Sequence, residues 1–232
     1  MAPLISVIIP AWNESRLLAS TLEAVSKAHA SAAFSFDMQL IVVDDGSRDG
    51  TGDVACAWAD VVLRFPVNSG KGAAMYAGWQ AASGEIVVFL DADLGSTAEK
   101  FPLLLEPVLR GEADLTVAKL PPASIPGGFG LVRGLAGRGV RLLSGYDSGA
   151  PLSGQRAMRS EVLRRCERKY QGFGAEVGMM VDAVRLGFRI VELEVPFRHR
   201  ETGRTWQGWL HRGKQLCEVG LTLWQCWRKP AC

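Results

Sequence analysis

Three apolar runs in this chain lead to the same kind of ending. "LISVIIP" (4–10) leads into "AWNE", while "QLIVVDDGS" (39–47) and "EIVVFLDAD" (85–93) close on their own acids. Such near-continuous apolar runs, set between turn residues, read as strands covered on both faces. That reading constrains the fold strongly. Carboxylates are costly in an apolar interior, so Asp44, Asp45, Asp91 and Asp93 belong at the mouth of a sheet rather than inside it. Helical patterns fall between the strands, over 14–28, 49–59, 70–82 and 97–110, with further strands at 61–65 and 113–119. The alternation predicts an α/β fold: a mostly parallel, Rossmann-like sheet flanked by helices. In such sheets ligands bind beyond the carboxyl ends of the strands, which is where the polar clusters lie.

With 232 residues, the chain is long enough for one large core or at most two small ones. The net charge of +2 conceals an asymmetry: −8 over 1–118, +7 over 119–169, −2 over 170–195 and +5 over 196–232. An acidic half is followed by two basic segments, which are either solvated helix faces or a surface for an anionic partner. Five cysteines form no CxxC pair and no metal-finger spacing, so they read as reduced thiols of a cytoplasmic protein. The first residues carry no basic n-region and reach Pro10 too soon for a secretory signal, and no apolar run approaches the roughly 18 residues of a spanning helix.

The second half carries less chemistry and more surface. "PPASIPGG" (121–128) is a Pro/Gly loop. On a helical wheel, 129–145 places Arg133, Arg138 and Arg141 on one arc and Leu131, Val132, Leu135, Val140, Leu142 and Leu143 on the other. Helices are expected at 161–170 and 174–187, and an alternating strand at 189–197. The tail 205–229 is helical and basic, with Trp206/Trp209 and Trp224/Trp227 near its ends. These tryptophans read first as core packing and second as a membrane-interface belt. The division expected is 1–204 as one domain in two halves (1–119 and 120–204), with 205–232 as a C-terminal amphipathic helical extension.

Two aspartates one residue apart at a strand tip suit Mg²⁺ or Mn²⁺, which take oxygen ligands and share them with substrate phosphates. "NSGKGAA" (68–74) opens a helix with glycines around Lys71, which brings backbone N–H groups and an ammonium toward any phosphate. It lacks the spacing of a P-loop. No single-strand platform or recognition motif for nucleic acid is present.

"SVIIPAWNE", "IVVDDGSRDGT", "NSGKGAAMYAG" and "FLDADL", in this order, resemble glycosyltransferase family 2, nucleotide-sugar enzymes of the GT-A fold. The resemblance covers 4–119 closely. It implies that Pro10, Ala11 and Glu14 line the base and ribose of a UDP- or GDP-sugar, with Asp44 or Asp45 on the base edge and Lys71 near the nucleotide. It also implies that Asp91, beside Ala92, faces ribose or metal and that Asp93 holds the metal. "LSGQRAMRSEVL" (152–163) is similar to a stretch of dolichyl- and polyprenyl-phosphate sugar synthases. That likeness implies phosphate-binding roles for Lys119, Arg133, Arg156 and Arg200 (followed by Gly203), and a polyprenyl phosphate acceptor met peripherally at the inner membrane face. Gly95 departs from the pattern, because those synthases carry a metal-holding glutamine there. His199 then resembles the third metal ligand of retaining transferases acting on 3-phosphoglycerate or glycerate, with His211 as the alternative. Glu176 and Asp182 lie where inverting members carry an acidic base, which a hydroxyl acceptor would need and an anionic phosphate would not. Two other readings remain: a nucleotide-binding regulator without chemistry, and a nucleotidyltransferase.

Overall fold

A computed structural model describes residues 2–121, 129–166, 172, 174–198 and 206–228. Seven strands form one sheet: β1 (Leu4–Ala11), β2 (Asp37–Asp44), β3 (Val61–Arg64), β4 (Ile86–Phe89), β5 (Leu115–Lys119), β6 (Arg156–Arg159) and β7 (Ile190–Glu194). Their order across the sheet is β3-β2-β1-β4-β6-β5-β7. β2, β1 and β4 run parallel, as do β2 and β3 and the pair β5 and β7; only β6 is antiparallel to its neighbours, β4 and β5. The sheet is therefore mostly parallel, as the apolar runs predict. β6 is the strand not anticipated.

Both faces are covered. Ile5, Val7 and Ile9 of β1 join one core with Leu18, Leu22 and Val25 of α1 (Ser15–Ala30) and with Leu104 and Leu105 of α4 (Pro102–Leu109). Ile8 of β1, with Ile41 and Val43 of β2, turns to the other core. There it meets Ala74 and Met75 of α3 (Lys71–Ala81) and, further along, Val177 and Met180 of α7 (Gly174–Arg185). Gly78 lies where any Cβ would strike Ile8, so α3 rests directly on β1. This alternation around one strand accounts for its nearly continuous apolar run, whose one polar side chain, Ser6, is fully buried and donates to Gln39 Oε1 at 2.7 Å. α2 (Thr51–Cys56) and α6 (Ser160–Arg165) are short connections.

The predicted helix at 97–110 is two pieces: a 3-10 turn, Gly95–Lys100, and α4, with Pro102 in its first turn, where no N–H is required. α5 (Phe129–Ser144) packs against both α7 and α8 (Trp206–Arg228). Its contact with α8 is close: a Cβ at Gly139 would collide with Leu223. Only part of the apolar arc of α5 is buried. Val132, Ala136 and Val140 are inside, whereas Leu131 and Leu142 are 82% and 85% exposed. Trp224 and Trp227 are also exposed, so core packing does not account for them. Most of the Pro/Gly loop and the end of the 161–170 helix lie outside the described residues, and no helix among those described is long and apolar enough to cross a membrane.

Candidate active site

The carboxyl ends of β1 and β2 are stitched together. Ala11 pairs with Asp44 in the ladder, and the Asp45 N–H donates to the Ala11 carbonyl at 2.9 Å. Beyond them the two loops exchange bonds. Asn13 N–H donates to Ser47 Oγ (2.9 Å), Arg48 N–H to Asn13 Oδ1 (3.0 Å), Glu14 N–H to Thr51 Oγ1 (2.9 Å) and Ser15 N–H to Asp49 Oδ2 (3.1 Å). Partial burial alone would raise the Asp49 carboxyl, but the Thr51 hydroxyl and the Ser15 and Thr51 N–H groups outweigh it and pull the value down to about 2.

Asp44 and Asp45 are buried, and their oxygens serve the protein's own turns. Asp44 Oδ1 accepts from Ser47 N–H at 2.9 Å. Asp45 accepts from Ser69 N–H (2.7 Å), Gly70 N–H (2.8 Å) and Asn68 Nδ2 (3.0 Å), which ties the loop before α3 to the end of β2. Gly46 is required between them and Ser47, since its φ is +73° and a Cβ would lie 2.5 Å from the Val67 carbonyl carbon. The expected contact of either aspartate with a base thus involves groups already committed to framing the pocket.

The two aspartates after β4 differ from each other. Asp91 Oδ1 is 2.7 Å from Lys71 Nζ, and its Oδ2 accepts from Gln155 Nε2 at 2.6 Å. Lys71 Nζ is also 3.0 Å from Oε1 of Glu176, which is 1% exposed. Burial lowers the pKa of the Lys71 ammonium, but Asp91 and Glu176 more than offset this and hold it above its ordinary range. Asp93 sits half-buried in the next turn. That turn is anchored to α1 by Thr21, whose hydroxyl donates to the Ala92 carbonyl (2.8 Å) and accepts from Gly95 N–H (2.9 Å). Gly95 has φ +53°, so a glycine suits this turn where a glutamine would be strained.

A second cluster stands past β5. Lys119 Nζ is 3.4 Å from Glu192 Oε2, and Glu192 accepts from Ser148 Oγ (2.5 Å) and Gly149 N–H (2.9 Å). Arg133 donates to the Gly149 carbonyl at 2.6 Å, so two cations converge on one loop. Arg156 is a correction. It is fully buried, and its guanidinium donates to the carbonyls of Ser153, Glu176 and Pro151, so it cannot meet an acceptor phosphate in this arrangement. Burial pulls its pKa down to about 10 against the opposing charges of Glu176, Glu192 and Asp91. Asp182 is buried at 1% exposure. His199, Arg200 and Gly203 lie outside the described residues, as does the side chain of His211.

Among the described residues, no three His, Cys, Asp or Glu side chains gather closely enough to hold a metal. Asp91 and Asp93 nevertheless fit a divalent cation that takes its remaining ligands from substrate phosphates: two hard carboxylates one residue apart at the sheet mouth. Gln155, Ser148 and Glu192 were not read from the sequence. The available signal was an acid at an alternating position of β7 and a polar "SGQR" ahead of a short strand.

The topology and the strand-end carboxylates define a GT-A fold. The chain belongs to the family described as glycosyl transferase family 2, whose model matches residues 6–150, and it is a glycosyltransferase. It is similar to the undecaprenyl-phosphate mannosyltransferase of Micrococcus luteus, 31% identical over 85% of each chain. It is also similar to the glucosyl-3-phosphoglycerate synthase of Mycobacterium tuberculosis, 32% identical over 93% of this chain and 69% of the other. A crystal structure of that synthase with Mn²⁺, UDP-glucose and phosphoglyceric acid superposes with a TM-score of 0.78 at 31% identity, covering 95% of this chain and 78% of that one. Another structure of the same protein holds Mg²⁺ and UDP.

Proposed function

We propose that this chain transfers a sugar from a UDP- or GDP-sugar to a polyprenyl phosphate at the cytoplasmic face of a membrane. One observation carries the choice of acceptor. α5, the helix whose Arg133 reaches the cationic mouth at Gly149, also turns Leu131 and Leu142 to solvent. On neighbouring α8, Leu221, Trp224 and Trp227 are exposed too, with Arg228 stacked over Trp224 at 4.8 Å. Apolar and aromatic groups interleaved with arginines suit a lipid–water interface. A lipid phosphate at Lys119 and Arg133 would leave its chain along these helices.

The nucleotide lies over β1, β2 and β4, against Pro10, Ala11 and Glu14, in the frame held by Asp44, Asp45 and Asp49. A divalent cation on Asp93, beside Asp91, neutralises charge on the departing diphosphate when bound. Lys71 holds a fixed positive charge at the same edge. Lys119 and Arg133 orient the acceptor phosphate, which is already anionic and so needs no base. Arg200 as a further phosphate ligand and His199 as a further metal ligand belong to this reading by family resemblance.

A small phosphorylated acid is the second reading, favoured by the close superposition on the glucosyl-3-phosphoglycerate synthase. Incubation with UDP-glucose or GDP-mannose and Mn²⁺ separates the two. Product on a short polyprenyl phosphate in detergent, stimulated by anionic lipid, is expected; product on 3-phosphoglycerate alone would overturn the lipid acceptor.

A further inference from the structure

We propose that Glu176 is a positioning residue that governs cation binding at the β4 mouth by sharing Lys71 with Asp91, rather than a general base. This rests on the reading that the mouth takes a metal-bound nucleoside diphosphate.

Glu176 lies in the first turn of α7, essentially closed from solvent, and its own carbonyl is pinned from behind by Arg156 at 2.7 Å. Apart from the Lys71 ammonium 3.0 Å from Oε1, its carboxylate has no hydrogen-bond partner among the described residues. A buried carboxylate in that position depends heavily on its direct ion-pair partner. Lys71 is held between this carboxylate and Asp91, 2.7 Å away on the other side. The backbone at Gly154 roofs the cluster, since a Cβ there would fall 2.5 Å from Lys71 Nζ and 2.8 Å from Asp91 Oδ1. A lysine stem is flexible and normally samples many rotamers; here two carboxylates and a backbone wall hold it still.

The sharing gives the arrangement its function. One ammonium lies within hydrogen-bond reach of both carboxylates, while the buried Arg156 guanidinium, spent on backbone carbonyls, adds its charge from behind. Glu176 draws Lys71 away from full neutralisation of Asp91, which leaves Asp91 able to contribute to a cation site with Asp93. In Glu176→Gln the ammonium belongs to Asp91 alone, and that oxygen pair is neutralised. The burial of Glu176 also argues against a base, because the residue is 1% exposed and a base must reach the hydroxyl it deprotonates.

The test titrates Mn²⁺ into full-length protein with saturating UDP or GDP and no acceptor, reading binding calorimetrically. Glu176→Gln is expected to weaken Mn²⁺ binding on the order of tenfold, the usual scale for a group that orients a metal-holding carboxylate. Adding Lys71→Gln restores the single negative charge on Asp91, so the double variant should recover much of that loss. Lys71→Gln alone leaves Glu176 buried without its direct ion-pair partner and should melt below both wild type and the double variant. Wild-type Mn²⁺ affinity in Glu176→Gln, with only turnover reduced, would overturn the proposal and make Glu176 the base. If Glu176→Gln does not fold, a double variant binding Mn²⁺ no better than Asp91→Asn overturns it equally. Failure of the wild type to bind either nucleotide with Mn²⁺ would instead remove the donor-site reading on which the proposal stands.

Discussion

The two mouths of the sheet are built from opposite materials. After β2 the groups are carboxylates, and the protein's own N–H groups fill most of their oxygens: Ser47 on Asp44, Ser69 and Gly70 on Asp45, Ser15 and Thr51 on Asp49, while Asp91 after β4 is held by the side chains of Lys71 and Gln155. Past β5 the groups are cations on looser contacts. The Lys119 side chain is 41% exposed and 3.4 Å from Glu192, and Arg133 donates to the Gly149 carbonyl. A carboxylate fixed by backbone donors keeps its place whether or not a ligand arrives. A half-exposed cation can turn toward an incoming phosphate at little cost, since exposed pairs are worth at most about 1 kcal/mol. On the proposed function, the donor side is preorganised and the acceptor side is adjustable.

The strongest way to break this comparison is at Asp93. Asp93→Ala should lower turnover roughly 100-fold or more, on the scale of losing one electrostatic contact to the leaving group, while leaving the melting temperature near that of wild type. Steady-state kinetics beside thermal unfolding check it. If activity stays near wild type, the donor mouth is not where the chemistry sits.

Asp45 tests preorganisation itself. Asp45→Ala removes three accepted hydrogen bonds that join the end of β2 to the loop before α3. Hydrogen bonds to a charged group are worth about 1.5–3 kcal/mol each when buried. Ser69 can turn to water, so a net loss on the order of 2 kcal/mol is expected in urea unfolding, together with weaker nucleotide binding. An unchanged stability would mean that the frame is held elsewhere.

Much of this donor frame was legible in the sequence, and the reason is local. β1, β2 and β4 are largely apolar on both faces, so their runs stand out, and their polar endings, Asn-Glu after β1 and Asp and Gly after β2 and β4, mark the mouth without knowledge of the fold. The acceptor side was less legible because it is assembled across the chain. β6 is four residues long, reads as "RAMR", and becomes a strand only by inserting between β4 and β5. Arg156 looks like a surface cation until that insertion buries it. Glu192 meets Ser148 and Lys119 only because β7 lies beside β5. The split of roles between Asp91 and Asp93 likewise depends on Lys71 and Gln155, which lie 20 and 64 positions away.

The acceptor mouth yields a gentler prediction. Arg133→Ala and Lys119→Ala should each raise the acceptor KM about tenfold, the scale of one charge-assisted hydrogen bond, with nucleotide affinity unchanged. Added salt should weaken acceptor capture more than nucleotide binding, because the exposed cations are the ones that ions screen. Equal loss at both substrates would erase the division between the two sides.

The smallest effect separates the two mouths by acid. The Asp49 carboxyl is pulled from 3.8 down to about 2 by its hydrogen bonds. A group whose pKa falls on folding adds stability above its unfolded value and loses it as pH drops through the folded value. The contribution of Asp49 is therefore full above about pH 4 and fades between there and pH 2. The group is largely open to water, so the effect on midpoint is modest. Asp49→Asn keeps an acceptor oxygen for Thr51 or Ser15 but cannot titrate. Its melting temperature should lie slightly below wild type at neutral pH, and the gap should close as pH falls toward 2. A gap that stays constant with pH would mean that the donor loops are held by the shape of the Asn13–Ser47 exchange and owe nothing to the charge on Asp49.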